Sequence, residues 1–329
     1  MRMNLILKNS IMLFLFLFGC KSSIDSNEEL VVYVSADEQI ARQVFSSFSE
    51  KTGIDIVWVG DNESSKNTGL VNRIRAEKDN CVADVFWSSE ILGTIQLSDE
   101  GFFRSCNSEL AQNWPGEFKD SELRWFGFSP RARVIAYDPK RTSRASLPNT
   151  WWEFNDAVIA DPRFGTTRTH VSVMGLFPEK SEELFVKMKK PLLGGNASTV
   201  QAVVDGIATY AMTDSDDVYA AQARGCSIEM LMPRHHSGNG GGTLYIPNTV
   251  GIIRGTSRIK KAEMFVDFLL SDEVARLLAN SSSHNYPIQP AVAREFPALQ
   301  IIDPLVVDFA QASKQQEAQV NLAIQEMLR

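Results

Sequence analysis

The chain has 329 residues, a formal net charge of −7, 44% hydrophobic and 22% charged residues. This is the balance of an ordinary globular protein, long enough for two domains of common size. The acidic excess, and the lack of any basic stretch interleaved with aromatics, argue against a nucleic-acid partner.

The chain opens on a leader. Arg2 and Lys8 flank its start, and Ile11 to Phe18 is continuously apolar but too short for a mature membrane span. The run ends in Leu17-Phe18-Gly19-Cys20, followed by Lys21-Ser22-Ser23. This set resembles the lipobox of bacterial lipoproteins. Residues 1–19 then form a signal peptide, and Cys20 is the acylated first residue of the mature chain. Lys21 to Glu29 has the composition of a flexible tether. An ordinary signal peptide with a chance cysteine is the plainer alternative. The reading places the chain outside the cytoplasm, lipid-anchored to a membrane and facing the periplasm or cell exterior. Cys81, Cys106 and Cys226 remain. A Cys81–Cys106 disulfide would suit an oxidising compartment and leave Cys226 free.

The folded part begins with Leu30 to Val34, an apolar β-branched run that reads as a strand. Ile40, Val44, Phe45 and Phe48 recur at helical spacing, and Gly53 ends that helix. Ile54 to Val59 is a second strand. This strand–helix–strand unit favours a parallel sheet with ligand at the strand ends. Leu70 to Lys78 reads as a helix, Ala83 to Trp87 as a strand, and a helix through Ile95 and Leu97 closes at Gly101. Trp125 to Phe128 leads to Arg131 and the strand Val134 to Tyr137. Trp151 to Phe154 marks a short helix and Val158 to Ala160 a strand. Beyond the middle, Cys226 to Met232 and Leu244 to Ile253 read as strands, with a mobile glycine loop, Gly238 to Gly242, between them. Ala262 to Leu270 and Glu273 to Leu278 read as helices. A broken terminal helix is expected over Asp308 to Leu328. No internal repeat is visible.

Two stretches carry chemistry. Asp161-Pro162-Arg163-Phe164-Gly165-Thr166-Thr167 turns a strand into a helix and offers free amides and two hydroxyls to an anion. Gly194 to Ser198 opens a helix with the same potential. A plain N-cap is the bland reading of each. The other stretch is Thr213-Asp214-Ser215-Asp216-Asp217. One acid suffices to cap a helix, and three in four residues repel one another. Either this is a solvated helix start, or the acids face a cation or the positive end of a small ligand.

The motifs Val32 to Asp37, Thr68 to Arg73, Ala83 to Glu90, Arg131 to Arg133, Asp161 to Thr167, Gly195 to Ala197, Thr213 to Asp217 and Ile246 to Thr249 occur in a specific order. Together they resemble the solute-binding lipoproteins of bacterial ABC importers, in the ferric-iron-binding group. The resemblance implies the two-lobed α/β periplasmic-binding-protein fold, type 2, with crossing strands near Val134 and Ile246 as hinge and the ligand cleft between the lobes. Residues 30–128 and 245–295 would form lobe one, 129–244 lobe two, and 296–329 a C-terminal helical segment. It also implies a monomer that binds a small ligand, docks on permease subunits and has no catalytic cofactor.

The site follows the same resemblance. Arg131, Thr166, Thr167 and Asn196 match the anion-binding positions. Asp37 matches the first-strand ligand, and Glu90 the acid after the third strand. Asp216 and Asp217 stand where iron-binding members carry adjacent tyrosines, with Asp214 beside them. Phenolates suit Fe³⁺, so their replacement by carboxylates is a departure. Two cargoes fit: Fe³⁺ or a related metal with a synergistic anion, or a small zwitterion such as an aminoalkylphosphonate.

Rival classes are weaker. Asp214 to Val218 also fits an aspartyl-phosphate phosphatase motif, but far from the usual first strand. An EF-hand fails, because Gly225 stands where the Glu is needed. His235-His236 reads as a pair of solvated loop histidines. No Gly-x-Ser-x-Gly elbow is present.

Overall fold

A computed structural model describes residues 29–61, 68–78, 80–154, 156–188 and 194–328. The leader, Cys20 and the tether through residue 28 lie outside the described residues. The strands are β1 (Leu30–Val34), β2 (Ile56–Gly60), β3 (Val85–Ser88), β4 (Phe103–Arg104), β5 (Trp125–Tyr137), β6 (Val158–Ile159), β7 (Tyr210–Asp214), β8 (Glu229–Leu231) and β9 (Tyr245–Ile253). The helices before the middle of the chain are α1 (Glu38–Thr52), α2 (Thr68–Ala76), α3 (Leu92–Asp99) and α4 (Glu109–Asn113). Those after it are α5 (Gly165–Met174), α6 (Pro178–Lys187), α7 (Asn196–Val204) and α8 (Ser215–Ala223). The chain closes with α9 (Ile259–Leu269), α10 (Asp272–Asn280), α11 (Pro290–Glu295) and α12 (Phe309–Met327).

The strands run in the order β2-β1-β3-β9-β5-β7-β6, with β4 beside β9 and β8 beside β5. β2, β1 and β3 are parallel, as the strand–helix–strand pattern predicts. β9 runs antiparallel to both β3 and β5. The first half of β5 pairs with β9, and its second half pairs with β7 and β8. The sequence suggests two runs, Trp125 to Phe128 and Val134 to Tyr137. They form one buried strand that passes from one lobe into the other.

Side-chain alternation then builds two cores per lobe. Val32 and Val34 enter one cluster with Phe45, Phe48 and Phe265, whereas Tyr33 enters the opposite one with Leu70, Phe86 and Ile95. In the second lobe Ile135 and Tyr137 face Trp151, Phe185 and Met212, while Val134 and Ala136 face Val200, Val203 and Val218.

Three expectations are corrected. The terminal helix is continuous over Phe309–Met327. Its Ala312 packs in a first-lobe core, and its Val320, Ala323 and Met327 pack in a second-lobe core, so one continuous element spans both. Cys81 and Cys106 are free and lie in different clusters on opposite faces of the first-lobe sheet. The glycine loop is tied down: Gly241 O accepts from His235 and His236 amides, and Gly240 O accepts from Val306 N at 2.8 Å.

The passage between lobes is irregular at one point. The β5–β9 register shifts between Phe128 and Arg131, and Ser129 takes φ 39°, a left-handed value unusual outside glycine. Asn248 on β9 holds this kink. Its Nδ2 donates to Ser129 O at 2.8 Å, and its Oδ1 accepts from Arg131 Nη2 at 3.2 Å and Trp87 Nε1 at 3.4 Å. All four residues are buried. Asn248→Ala strands one acceptor and two donors, and should lower the unfolding free energy by about 2 kcal/mol. A denaturant midpoint unchanged from wild type would show that the kink holds without it.

Candidate ligand cleft

A cleft of about 610 Å³ opens between the lobes. Lobe one contributes Asp37, Ser89, Ser282 and Ser283; lobe two contributes most of the rest. Four helices begin on it. The Asp37 carboxylate caps α1, accepting from Gln39 N at 2.9 Å. α5 and α7 start at Phe164 and Gly195 without any side-chain cap. Gly165 (φ 54°) and Gly195 (φ 84°) supply the left-handed turns that bring both chain ends to the wall. The first turns of both helices thus line the cleft, where their free amides and the positive ends of two helix dipoles favour an anion.

The acid stretch folds in an unexpected way. Asp214 occupies the N-cap position of α8, yet its carboxylate caps nothing. It turns inward to Arg133, its register partner on β5, with Nη1 to Oδ1 at 2.9 Å. Its Oδ2 accepts from Thr166 Oγ1 at 2.5 Å and Asn196 Nδ2 at 2.9 Å. Asn196 Nδ2 also reaches Thr166 Oγ1, and Thr167 Oγ1 donates to Asn196 Oδ1 at 3.0 Å. Asp216 pairs with Arg131 Nε at 3.2 Å. Asp217 accepts from Thr213 Oγ1 at 3.3 Å.

The motif comparison divides the site into an anion end (Arg131, Thr166, Thr167, Asn196) and a cation end (Asp37, Glu90, Asp214, Asp216, Asp217). The structure brings all of these except Glu90 to the cleft, but interlocks them. The chain's own carboxylates occupy the donors meant for a ligand anion: Asp214 on Thr166 and Asn196, Asp216 on Arg131. An anion in the cleft would therefore meet the backbone amides of α5 and α7, with Arg163 and Arg224 also on the wall. Asp214, held on both oxygens, is poorly placed as a phosphatase nucleophile.

Glu90 is the clear correction. It is fully buried and outside the cleft. Its oxygens accept from the Leu92 and Gly93 amides at the start of α3, from Thr169 Oγ1 at 2.8 Å and from Arg168 Nη2 at 3.2 Å. Arg168 Nη1 also donates to Thr68 Oγ1. An acid after the third strand is a cleft ligand only if its side chain faces the strand ends. Here two uncapped amides and an arginine from α5 draw it inward, so Glu90 fastens the two lobes instead.

Several residues escape sequence reasoning. Arg163 and Arg224 line the cleft, Arg163 paired with Asp161. Arg133 lies behind the wall; a charge inside the apolar run Ala132 to Tyr137 was the available signal. His235 is not a solvated loop residue. It is buried against Trp151, Trp152 and His170. Burial, then the Arg133 charge and His235, hold His170 well below the usual histidine range. Burial pushes His235 down to about 4, opposed by its bond to the Gly242 carbonyl and aided by His236.

No protein-family model matches the chain. Among curated proteins it is similar to iron uptake protein A1 of Synechocystis sp., 24% identical over 297 residues that cover 80% of this chain and 77% of that one. It is also 24% identical over 288 residues to the major ferric iron-binding protein of Neisseria meningitidis, covering 82% and 83%. Among solved structures it superposes on the apo ferric ion-binding protein A of Pasteurella haemolytica with a TM-score of 0.78 at 20% identity, covering 91% and 97%. Trichodesmium FutA in complex with iron and citrate gives 0.76 at 19% identity, covering 92% and 100%. AfuA of Actinobacillus pleuropneumoniae with bound fructose 6-phosphate gives 0.71 at 19%, covering 91% and 98%. The fold is the two-lobed periplasmic-binding-protein fold. The resemblance to ferric-iron-binding proteins of that class, read from the motifs, holds across most of the chain.

The buried histidines give the molecule a pH dependence. Their folded values lie below the unfolded value of about 6.5, so between about 4 and 6.5 the unfolded chain binds more protons. Their share of stability is fully present above about pH 6.5 and is lost as pH falls. The melting temperature should drop between about pH 7 and 5, where most carboxylates remain ionised. A flat profile over that range would mean the rings are not held neutral.

Proposed function

We propose that this chain is the extracytoplasmic substrate-binding component of an ABC importer. Its cleft captures ferric iron, or a related metal, together with an anion and delivers them to the permease. One observation carries the reading: Asp214, Asp216 and Asp217 each place an oxygen within 4.8 Å of the others on the cleft wall, beside the open N-termini of α5 and α7. Hard oxygen donors suit a highly charged ion, and the free amides suit its counter-anion. The names of the curated relatives support a binding and uptake role rather than catalysis. A periplasmic location agrees with those names, and lipid on Cys20 would hold the chain at a membrane.

A second reading has its own support. No tyrosine is among the described residues that line the cleft, and arginine already sits against two of the three acids. A small zwitterion would fit such a wall, with a phosphate or phosphonate on the α5 and α7 amides and an amine toward Asp216 and Asp217. The neighbour named with fructose 6-phosphate shares the fold.

Native mass spectrometry with metal analysis, then calorimetric titration with ferric citrate and with aminoethylphosphonate, separates the two. On the metal reading ferric citrate binds, and Asp216→Asn weakens it by roughly 1.5–3 kcal/mol, about ten- to a hundredfold. The iron-loaded protein should lack the visible phenolate-to-iron band, because no described tyrosine reaches the cleft. Binding of aminoethylphosphonate alone would replace the metal reading with the second.

A further inference from the structure

Behind the cleft wall lies a row of side chains that touches no ligand space. Arg133 is fully buried. Its Nη1 donates to Asp214 Oδ1 at 2.9 Å and Thr166 Oγ1 at 3.3 Å, while its Nε donates to His170 Nδ1 at 3.3 Å. His170 Nε2 lies 3.2 Å from His235 Nε2, and His235 Nδ1 lies 2.9 Å from Gly242 O.

The direction of this row can be worked out from both ends. A carbonyl only accepts, so His235 carries its proton on Nδ1 and leaves Nε2 as an acceptor. A guanidinium Nε only donates, so His170 accepts on Nδ1 and carries its proton on Nε2. The two deductions meet at the ring-to-ring contact: His170 Nε2–H donates to His235 Nε2. One proton arrangement satisfies every link, and it needs both rings neutral. The charged and titratable groups facing the rings are Arg133 and His236, with Asp214 across the guanidinium. Trp151, Trp152 and Phe177 enclose the rest.

We propose that His170 and His235 are positioning residues for the ligand cleft: through this row they hold Arg133 against Asp214 and Thr166. The inference rests on the cleft being the ligand site. A guanidinium ends a long, rotatable side chain, and a carboxylate alone would draw it into a two-pronged pair. His170 accepts from Nε and fixes the plane, so that Nη1 serves Asp214 and Thr166 together while the buried Nη2 meets no hydrogen-bond partner among the described residues. Asp214 Oδ2 then stays with Thr166 and Asn196, which sets the wall formed by the starts of α5 and α7. Gly242, the last residue of the pinned glycine loop, anchors the far end.

Two readouts test this. Long-range ¹H–¹⁵N NMR of the folded protein near pH 7 should find His170 protonated on Nε2 and His235 on Nδ1. Any other tautomer pair, or a charged ring, overturns the proposal. The second is affinity for whichever probe wild type binds, ferric citrate or aminoethylphosphonate. His170→Asn places an oxygen near the old Nδ1 position and keeps the link to Arg133. His170→Gln reaches His235 but loses that link. Asn should bind within about threefold of wild type, and Gln about tenfold or more weaker. A role in filling space alone would treat the two alike, and equal affinities would overturn the proposal. If wild type binds neither probe, the functional reading fails, and the tautomers alone decide the fate of the row.

Discussion

The arrangement of the site depends on one buried ion pair, Arg133 with Asp214. Both side chains are almost wholly shielded from water. A lone charge there would be prohibitively costly, and even a pair is weak as a source of net stability. What the pair supplies is placement. It joins β5 to β7 at the register position where the second-lobe sheet meets the cleft, and it turns Asp214 away from the helix it nominally caps. Thr166 and Asn196 follow, because their donors find Asp214 before they find any ligand. The first turns of α5 and α7 are thus fastened to the same carboxylate.

A second constraint sets how the lobes relate. β5 and β9 pass between them, the kink at Ser129 marks the passage, and α12 spans both on another face. Glu90, Arg168, Thr169 and Thr68 add a buried polar clasp. Any opening of the cleft must turn about the strands while α12 either bends or slides over one core. A continuous helix packed on both lobes would restrain such an opening.

Much of this fold was legible in the sequence, since periodicity and glycine punctuation carry local structure. Leu30–Val34, the helix ending at Gly53 and the long strand before Ile253 stand where their patterns predict. Elements were lost where tertiary contacts decide. Leu244 to Ile253 could be read, but within Trp125 to Tyr137 only Val134 to Tyr137 reads as a strand, because two arginines interrupt the apolar run. Only a buried Asp214 and a hinge-side Asp216 make them tolerable within one strand. The cleft residues were found through motif order. Their pairing was not, because spacing along the chain says nothing of which carboxylate meets which guanidinium across a sheet. The buried histidines were hidden for a similar reason: His235 sits in a polar, glycine-rich context, and its partner His170 lies 65 residues away.

The pairing changes what the acid stretch means. Read as sequence, Asp214, Asp216 and Asp217 are an open negative field that would attract any cation. In the structure five carboxylates line the cleft, three arginines stand among them, and Arg133 lies behind. Nearly matched charge leaves little long-range attraction, so selection must come from short-range geometry. A ligand of either proposed kind would enter by exchange, its positive part competing with Arg131 for Asp216 and its negative part taking the open amides of α5 and α7. Arg133 is excluded from that exchange, because it is buried and held on its far side by His170. The acid stretch therefore has one arginine pair that a ligand can exchange, Asp216 with Arg131, and one that stays fixed, Asp214 with Arg133. That division lets the cleft keep its shape while its charge pairs are rearranged around a ligand.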